Sequence, residues 1–481
     1  AIVMGPYVNH NHYAGLMEMI FPVTLGLFLF YRPRIGATSF FRAIAEIYSQ
    51  EKANIHILIG AAALLVVTSI FISLSRGAMI STCLSLVLFS ILLLRRRISR
   101  GNTLVILGII IACTLSVGWF GWGQIFAHFA RLRNAEGIIY ELRLDFWKDT
   151  LHIIREYWLT GSGAGTYEKI YPLFRSLESD RFLTHAHNDY LELWSEGGII
   201  SFSLGAWFFS TFFHRTHQIF SKRRDGFSVY AYIGSITAMA AILFHSVTDF
   251  NLRIGANGLW FFLMAGIAVS AAGTGIRKQS RKTRLLPVDG NTVKAGAFIA
   301  ATLFALLTVS VNLSSLGGRF YHANIRDFTL SIRTPETDLK KYERVAGIAA
   351  RFAPVNAEYA FAGATASWFL NQTDTARARF TTSLTLDPLN SRYLNRYARF
   401  LARYNDPRAD LAFEKAMRYD PTDAGFAFEY AAWLISKNRT QPGLATMKKA
   451  LALDDTFMDR ALTAMLLAGI PSDLIEQTVP D

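Results

Sequence analysis

The sequence predicts an all-α protein: a polytopic membrane helix bundle with a periplasmic α-helical loop and a C-terminal α-solenoid. Three observations predict it. Hydrophobic residues make up 52% of the 481 residues and charged residues only 18%, against about 25% charged in an average soluble domain. The apolar residues are pooled into runs of 17–21, close to the length that crosses roughly 30 Å of hydrocarbon. From about residue 320 the composition turns polar and a helical repeat sets in. The same numbers exclude a small disulfide-stapled scaffold, because the chain has two cysteines. They also exclude a disordered chain, which would lack this apolar content.

Eight membrane helices are expected, at 14–31, 55–74, 77–94, 103–120, 197–213, 228–248, 256–276 and 295–313. The formal net charge of +13 follows from their connectors. Segments 32–54, 95–102, 214–227 and 277–294 together hold eighteen basic residues against four acidic ones. That surplus accounts for the charge of the whole chain, so it marks membrane orientation rather than a nucleic-acid surface. The four basic connectors follow helices 1, 3, 5 and 7, which puts them on the cytoplasmic side. The opposite side then receives the long segment 121–196, with eight basic and eleven acidic residues. If the cell is a Gram-negative bacterium, the membrane is the inner one and the side with that loop and the tail is the periplasm. The chain opens at Ala1 with a polar stretch and no visible leader, and further helices are expected ahead of it. The expected division is a membrane domain at 1–318 and a helical repeat domain at 319–481.

In the tail, Pro354, Pro388, Pro421 and Asp455 recur at spacings of 34, 33 and 34 residues, each in a similar setting such as TLDPLNSRYL or RYDPTDAGFA. A period of this length is that of stacked helix–turn–helix units, and it resembles the tetratricopeptide repeat. Such units bury their apolar faces only by stacking, so the tail reads as a surface for protein partners.

Polar groups capable of chemistry gather on the outer side. Residues 138–158 place Ile139, Leu142, Phe146, Leu151, Ile154 and Trp158 at near-helical spacing, which predicts an amphipathic helix. The following LTGSGAGTY, 159–167, lacks the Gly-Lys-Ser/Thr of a phosphate loop and reads as a flexible turn. THAHNDYLELWSEGGIIS, 184–201, then brings His185 and His187 to the mouth of a membrane helix. His-x-His spacing occurs in metal sites, but no third ligand is fixed by spacing, and a structural role at the helix mouth is the alternative.

Here the motifs resemble the O-antigen ligase/polymerase family of bacterial membrane proteins. The block His187-Asn188, nine residues, then Gly198 resembles that family's outer-loop signature; its last position, normally Gly, Thr or Tyr, is Ser201 here. NHNHYAGLMEM (9–19), with Asn11, is similar to the family's entry to a membrane helix. Leu74-Ser75-Arg76-Gly77, the series Arg143…Trp147…Leu159-x-Gly161-x-Gly163, and FHSVTDFNL (244–252) with Asp249 also look similar. The resemblance covers roughly 5–275, and some family members carry tetratricopeptide tails. It implies transfer of a glycan from undecaprenyl diphosphate to a hydroxyl of lipid A-core, of another glycan or of a protein, without nucleotide sugar, metal or other cofactor.

The candidate catalytic residues fit that chemistry. A departing diphosphate needs cations, and guanidinium forks onto phosphate oxygens, which points to Arg76 and Arg143. An arginine at a membrane boundary also snorkels to headgroups, which is the plainer reading of Arg76. The acceptor hydroxyl must lose a proton, for which imidazole is suited near neutral pH, and His187 is the candidate base. Direct attack without a covalent enzyme intermediate would invert the anomeric centre. His185, Asn188, Asp249 and Asn11 are candidate substrate-binding residues. Asp249 either pairs with an arginine, orients His187, or caps a helix end. The competing functional readings are a polysaccharide transporter or flippase, and a membrane-anchored scaffold of an export complex. The membrane part shows no internal repeat of the kind many transporters carry.

Overall fold

A computed structural model describes residues 5–33, 51–96, 143–176, 183–273, 290–323, 330 and 333–479. Among these residues the regular structure is helical throughout. The expected helix 103–120 and loop residues 121–142 lie outside the described residues, as do most of the basic connectors. The chain divides into two compact units, Ala1–Glu168 with Leu183–Gln279, and Lys169–Phe182 with Ser280–Asp481.

The first unit holds α1 (His10–Phe30), α2 (Glu51–Ile72), α3 (Arg76–Arg95), α4 (Arg143–Glu156), α6 (Asp189–Phe220), α7 (Gly226–His245) and α8 (Gly255–Gly273). Five of the described helices are long and apolar enough to cross a membrane: α1, α2, α3, α7 and α8. The chain is an all-α polytopic membrane protein. Water cannot satisfy backbone groups in hydrocarbon, and a helix satisfies its own. Where helices meet, small residues let backbones approach: a Cβ on Gly26 of α1 would stand 2.7 Å from the Tyr230 carbonyl of α7. Leu25, Leu29, Phe89, Phe220, Tyr232 and Ile233 fill the space around that contact. The expected span 197–213 lies in the distal arm of α6, which breaks at Gly198. That arm exposes Leu204, Trp207 and Phe208, as a lipid-facing helix would.

One end of this bundle is tied by arginines. The Arg96 guanidinium lies 3.8 Å over the Phe220 ring and donates to the carbonyls of Phe220, Ser221 and Arg223, at the end of α6. Arg223 donates to the Ala271 carbonyl at 3.2 Å, near the end of α8. Cations at helix C-termini also complement the helix dipole.

The expected amphipathic helix is present as α4, with a different buried face. Asp149, Thr150, Ile153 and Ile154 are buried, whereas Leu151 and Trp158 are exposed. Apolar periodicity alone misplaced the face because Thr150 is drawn inward by its hydroxyl, 2.8 Å from that of Tyr167.

The second unit contains α9 (Gly290–Ala323) and the tail helices α10 (Glu336–Phe352), α11 (Ala357–Phe369), α12 (Thr373–Leu386), α13 (Ser391–Arg403), α14 (Arg408–Tyr419), α15 (Ala424–Ser436), α16 (Thr440–Leu453), α17 (Met458–Leu467) and α18 (Ser472–Thr478). The expected membrane helix 295–313 lies inside α9, whose Leu303, Leu306, Leu307 and Val311 are exposed. The expected boundary at 318/319 falls within α9, and the compact unit begins earlier, at Ser280. The cause is that α9 runs on into the tail: a Cβ on Gly317 would stand 2.7 Å from the Phe352 ring.

The 34- and 33-residue spacing is a spacing of helix caps. Asn356, Asn390 and Asp423, each two residues after a repeat proline, accept from backbone N–H groups at the starts of α11, α13 and α15. Asn371, Asn405 and Asn438 take the left-handed conformation just after the same helices, with φ of 59°, 54° and 58°. α11 pairs with α12, α13 with α14, and α15 with α16. Phe361, Trp368, Phe380, Phe400 and Phe413 form one core, and Phe428, Ile435, Met447, Leu451 and Met465 the next. Residues 169–176, which include most of α5 (Tyr167–Phe174), are held on this unit by ion pairs. Lys169 meets Asp387 at 2.9 Å and Arg175 meets Asp420 at 2.9 Å, the two aspartates each preceding a repeat proline.

Candidate functional site

The site is built on the turn that follows α7. His245 closes the helix, and its carbonyl accepts from the backbone N–H of Thr248 at 2.9 Å and of Asp249 at 3.1 Å. Arg143, the first residue of α4, donates through Nη1 to the Thr248 carbonyl at 2.6 Å. Arg76 opens α3, and the next residue packs on the same turn: a Cβ on Gly77 would stand 2.5 Å from Thr248 Oγ1 and 2.7 Å from the His245 ring. Leu74, just before, has φ of 59°, a left-handed backbone that costs a side-chain-bearing residue about 1–2 kcal/mol. Asp249 is buried, and its Oδ1 lies 3.2 Å from His187 Nδ1 and 3.8 Å from His12 Nε2. The turn therefore brings Arg143, Arg76 and His187 to one end of the bundle.

Burial alone would raise the Asp249 carboxyl, but the hydrogen bond from His187 and the nearby His12 ring hold it well below the usual carboxylate range. An ionised Asp249 can only accept, so His187 Nδ1 carries a proton toward it, and in the neutral imidazole Nε2 then holds the lone pair. His187 is itself in the left-handed region, with φ of 49°. A strained backbone on a histidine, held by its surroundings, is a recurrent mark of functional positions.

His185 is engaged separately. Its Nδ1 lies 2.8 Å from Glu192 Oε1, and its ring stacks on Phe250 at 4.1 Å. The edges of His12 and His187 meet the same Phe250 ring at 4.7 and 5.0 Å. Glu192 also accepts from the Ala186 N–H at 2.8 Å and pairs with Arg253 at 3.0 Å; Arg253 reaches Glu196 at 2.8 Å. Trp147 Nε1 donates to the Ala186 carbonyl at 3.1 Å, so α4 holds the histidine segment from its other side. Asn188 caps α6, accepting from Tyr190 and Leu191 N–H at 3.0 Å each. Asn11 is buried in the first turn of α1, beside His12. Asp189 accepts from Ser246 Oγ at 2.7 Å and Leu252 N–H at 3.1 Å; burial nevertheless pushes its carboxyl up to about 6.

Several of these groups were not singled out by sequence reasoning. Glu192 and Arg253 form an ion pair whose partners lie in one quoted motif, 184–201, and one residue past another, 244–252. Glu18 of α1 bonds His245 Nδ1 at 3.0 Å and accepts from Ser81 of α3. Its signal was a lone carboxylate inside an apolar run, where an ionisable side chain needs a partner. Among the described residues, no group of three or more His, Cys, Asp or Glu side chains is placed to hold a metal ion.

The expected flexible turn at 159–167 is pinned by backbone hydrogen bonds. Gly198, with φ of 63° and ψ of −173°, breaks α6 and leaves helix groups unpaired on both sides. The loop takes them up: Ile199 N–H donates to the Trp158 carbonyl at 2.8 Å, while Ser162 and Gly163 N–H donate to the Ser195 and Glu196 carbonyls at 2.9 Å each. A Cβ on Gly198 would overlap the Leu159 carbonyl, and one on Gly161 the Glu196 carbonyl. The glycines of the two motifs thus lock one another.

Residues 61–205 match the family model described as O-antigen ligase. The match spans Arg76, Arg143, His185, His187, Asn188, Gly161 and Gly198. No curated protein matches the chain.

Proposed function

We propose that this member of the O-antigen ligase/polymerase family transfers a glycan from an undecaprenyl-diphosphate carrier to a hydroxyl acceptor at the outer rim of its helix bundle. The family match supports O-antigen ligase- or polymerase-type glycan transfer in general. The finer reading rests on one observation: Arg143 and His187 are both fastened to the same turn, through Thr248 and Asp249.

In this reading Arg143 and Arg76 contact the diphosphate, where charge-assisted bonds from guanidinium stabilise the leaving group as the anomeric bond breaks. His187 Nε2 takes the proton from the acceptor hydroxyl as its oxygen bonds the anomeric carbon, inverting that centre. Asp249 holds the imidazole in the required tautomer and stabilises the imidazolium. The reaction needs no metal, because the cations are supplied by the chain. The acceptor is lipid A-core, a growing glycan or a protein hydroxyl, and the site lies at the periplasmic face of the inner membrane.

The test is glycan profiling of a deletion strain complemented with wild type or with His187→Ala. Loss of glycan-capped lipid A-core marks a ligase, and loss of long chains a polymerase. A normal glycan profile with a normally expressed variant removes His187 from the chemistry.

A further inference from the structure

The first helices of three successive tail pairs, α11, α13 and α15, carry a charged face that the transfer reaction does not use. Along α13, Arg392, Arg396 and Arg399 fall at i, i+4 and i+7, which lines them up on one side of the helix. The outer two are neutralised from the flanking helices: Arg392 by Glu358 at 2.5 Å and Arg399 by Glu429 at 3.1 Å. Arg396 lies between them, half-buried, and among the described residues no hydrogen bond or ion pair engages it. Burial lowers its pKa, and the charges of Arg399 and Arg392 lower it further against the pull of Glu429. The neighbouring Asn395 is buried; its Nδ2 donates to Glu429 at 2.6 Å, and its Oδ1 has no partner. Such groups are costly in a folded protein unless something supplies their bonds.

We propose that this face of α13 binds a carboxylate-bearing glycan, with a sugar carboxylate on the Arg396 guanidinium and adjacent sugar hydroxyls donating to Glu358 and Glu429. One uncompensated cation suits isolated single charges. A ligand with a charge every few ångströms along its length would need several free cations. The carboxylates of Glu358 and Glu429 flank the vacancy, so a run of acidic peptide side chains would meet like charge. Sugar hydroxyls both donate and accept, and are compatible with those carboxylates and with the Tyr393 hydroxyl that donates to Glu358 at 2.6 Å. The planar carboxylate matches the guanidinium fork. The inference concerns the tail alone and stands or falls independently of His187.

The experiment uses the full chain in detergent, with a hexasaccharide carrying a single glucuronate as probe and maltohexaose and hexaglutamate as controls. Wild type is expected to bind the glucuronate-bearing hexasaccharide in a salt-sensitive manner and more tightly than either control. Arg396→Gln is expected to weaken that binding by about tenfold or more, the loss of one charge-assisted contact. Arg396→Lys, which keeps the charge without the fork, is expected to fall between the two. Because Arg396→Gln removes an unpaired guanidinium from between two others, its Tm should equal or exceed that of wild type, which separates lost binding from lost fold. Failure of wild type to bind the glucuronate-bearing hexasaccharide, equal binding of either control, or unchanged affinity in Arg396→Gln would each overturn the proposal.

Discussion

At the scale of single residues, the site turns on the bond between Asp249 and His187. An ionised carboxylate accepts only, so it selects one imidazole tautomer; an amide presents both a donor and an acceptor and loses that selection. Asp249→Asn keeps the shape and can still accept the Phe250 N–H, which Asp249 Oδ1 receives at 2.9 Å. The expected result is therefore a chemical defect in a folded protein. Turnover of an undecaprenyl-diphosphate-linked oligosaccharide by the purified variant should fall roughly 10²- to 10⁴-fold, with the donor KM little changed. A rise in KM with unchanged turnover would instead place Asp249 in donor binding. Sequence reasoning reached this pair as one option among three, because Asp249 stood at a helix end on the same expected side as His187. It could not reach Glu18 with His245, whose partners are 227 positions apart in the chain. Nor did it find the Arg253 bridge to Glu192 and Glu196, since an ion pair between a turn and a helix distant in sequence leaves no periodic trace.

At the scale of elements, the broken helix α6 explains why two glycine-bearing motifs far apart in the sequence belong together. A continuous helix through Gly198 would satisfy its own backbone. The break instead exposes carbonyls at Ser195 and Glu196 and N–H groups at Ile199 and Ile200, which the 158–163 loop takes up. The short arm before the break carries Asp189, Glu192 and Glu196, so the break sets the direction in which these carboxylates face Arg253 and His185. Backbone with φ of 63° and ψ of −173° is open almost solely to glycine. Gly198→Ala is expected to cost about 1–3 kcal/mol from that strain alone, with the clash against the Leu159 carbonyl adding to it. Thermal unfolding in detergent should show a lowered Tm, and Gly161→Ala should behave alike. Gly205→Ala, at an ordinary helical position where a Cβ would stand 3.7 Å from its nearest neighbour, Leu193, should be nearly silent. An unaltered Tm for Gly198→Ala would mean that α6 can run straight. The helices themselves were legible because apolar runs and a 33- to 34-residue period are one-dimensional signals. The loop read as a flexible turn because glycine spacing looks the same whether the chain is loose or threaded against another backbone.

At the scale of the whole molecule, the first unit has two chemically different ends, and its helices decide which loops share each. The C-terminal ends of α3, α6 and α8 and the N-terminal end of α7 meet through Arg96 and Arg223. The start of α1, the start of α3, the start of α6 and the end of α7 meet at the other end through His12, Gly77, Asp189 and Asp249. A helix of about 20 residues separates the two ends by about 30 Å, the thickness of the hydrocarbon core. Basic residues concentrate at the first end, including Arg95, Arg96, Lys222, Arg223 and Arg224, so the positive-inside rule predicts that this end faces the cytoplasm. The assignment can be checked after replacing Cys83 and Cys113 with serine. A cysteine at exposed Arg224 should react with a membrane-impermeant maleimide only once the membrane is opened, and one at exposed Thr184 should react in spheroplasts. The reverse pattern would put His187 on the cytoplasmic side. A base there could not meet a lipid-linked glycan already delivered to the outer leaflet, so the transfer reading and the charge asymmetry of the loops are tied to one measurement.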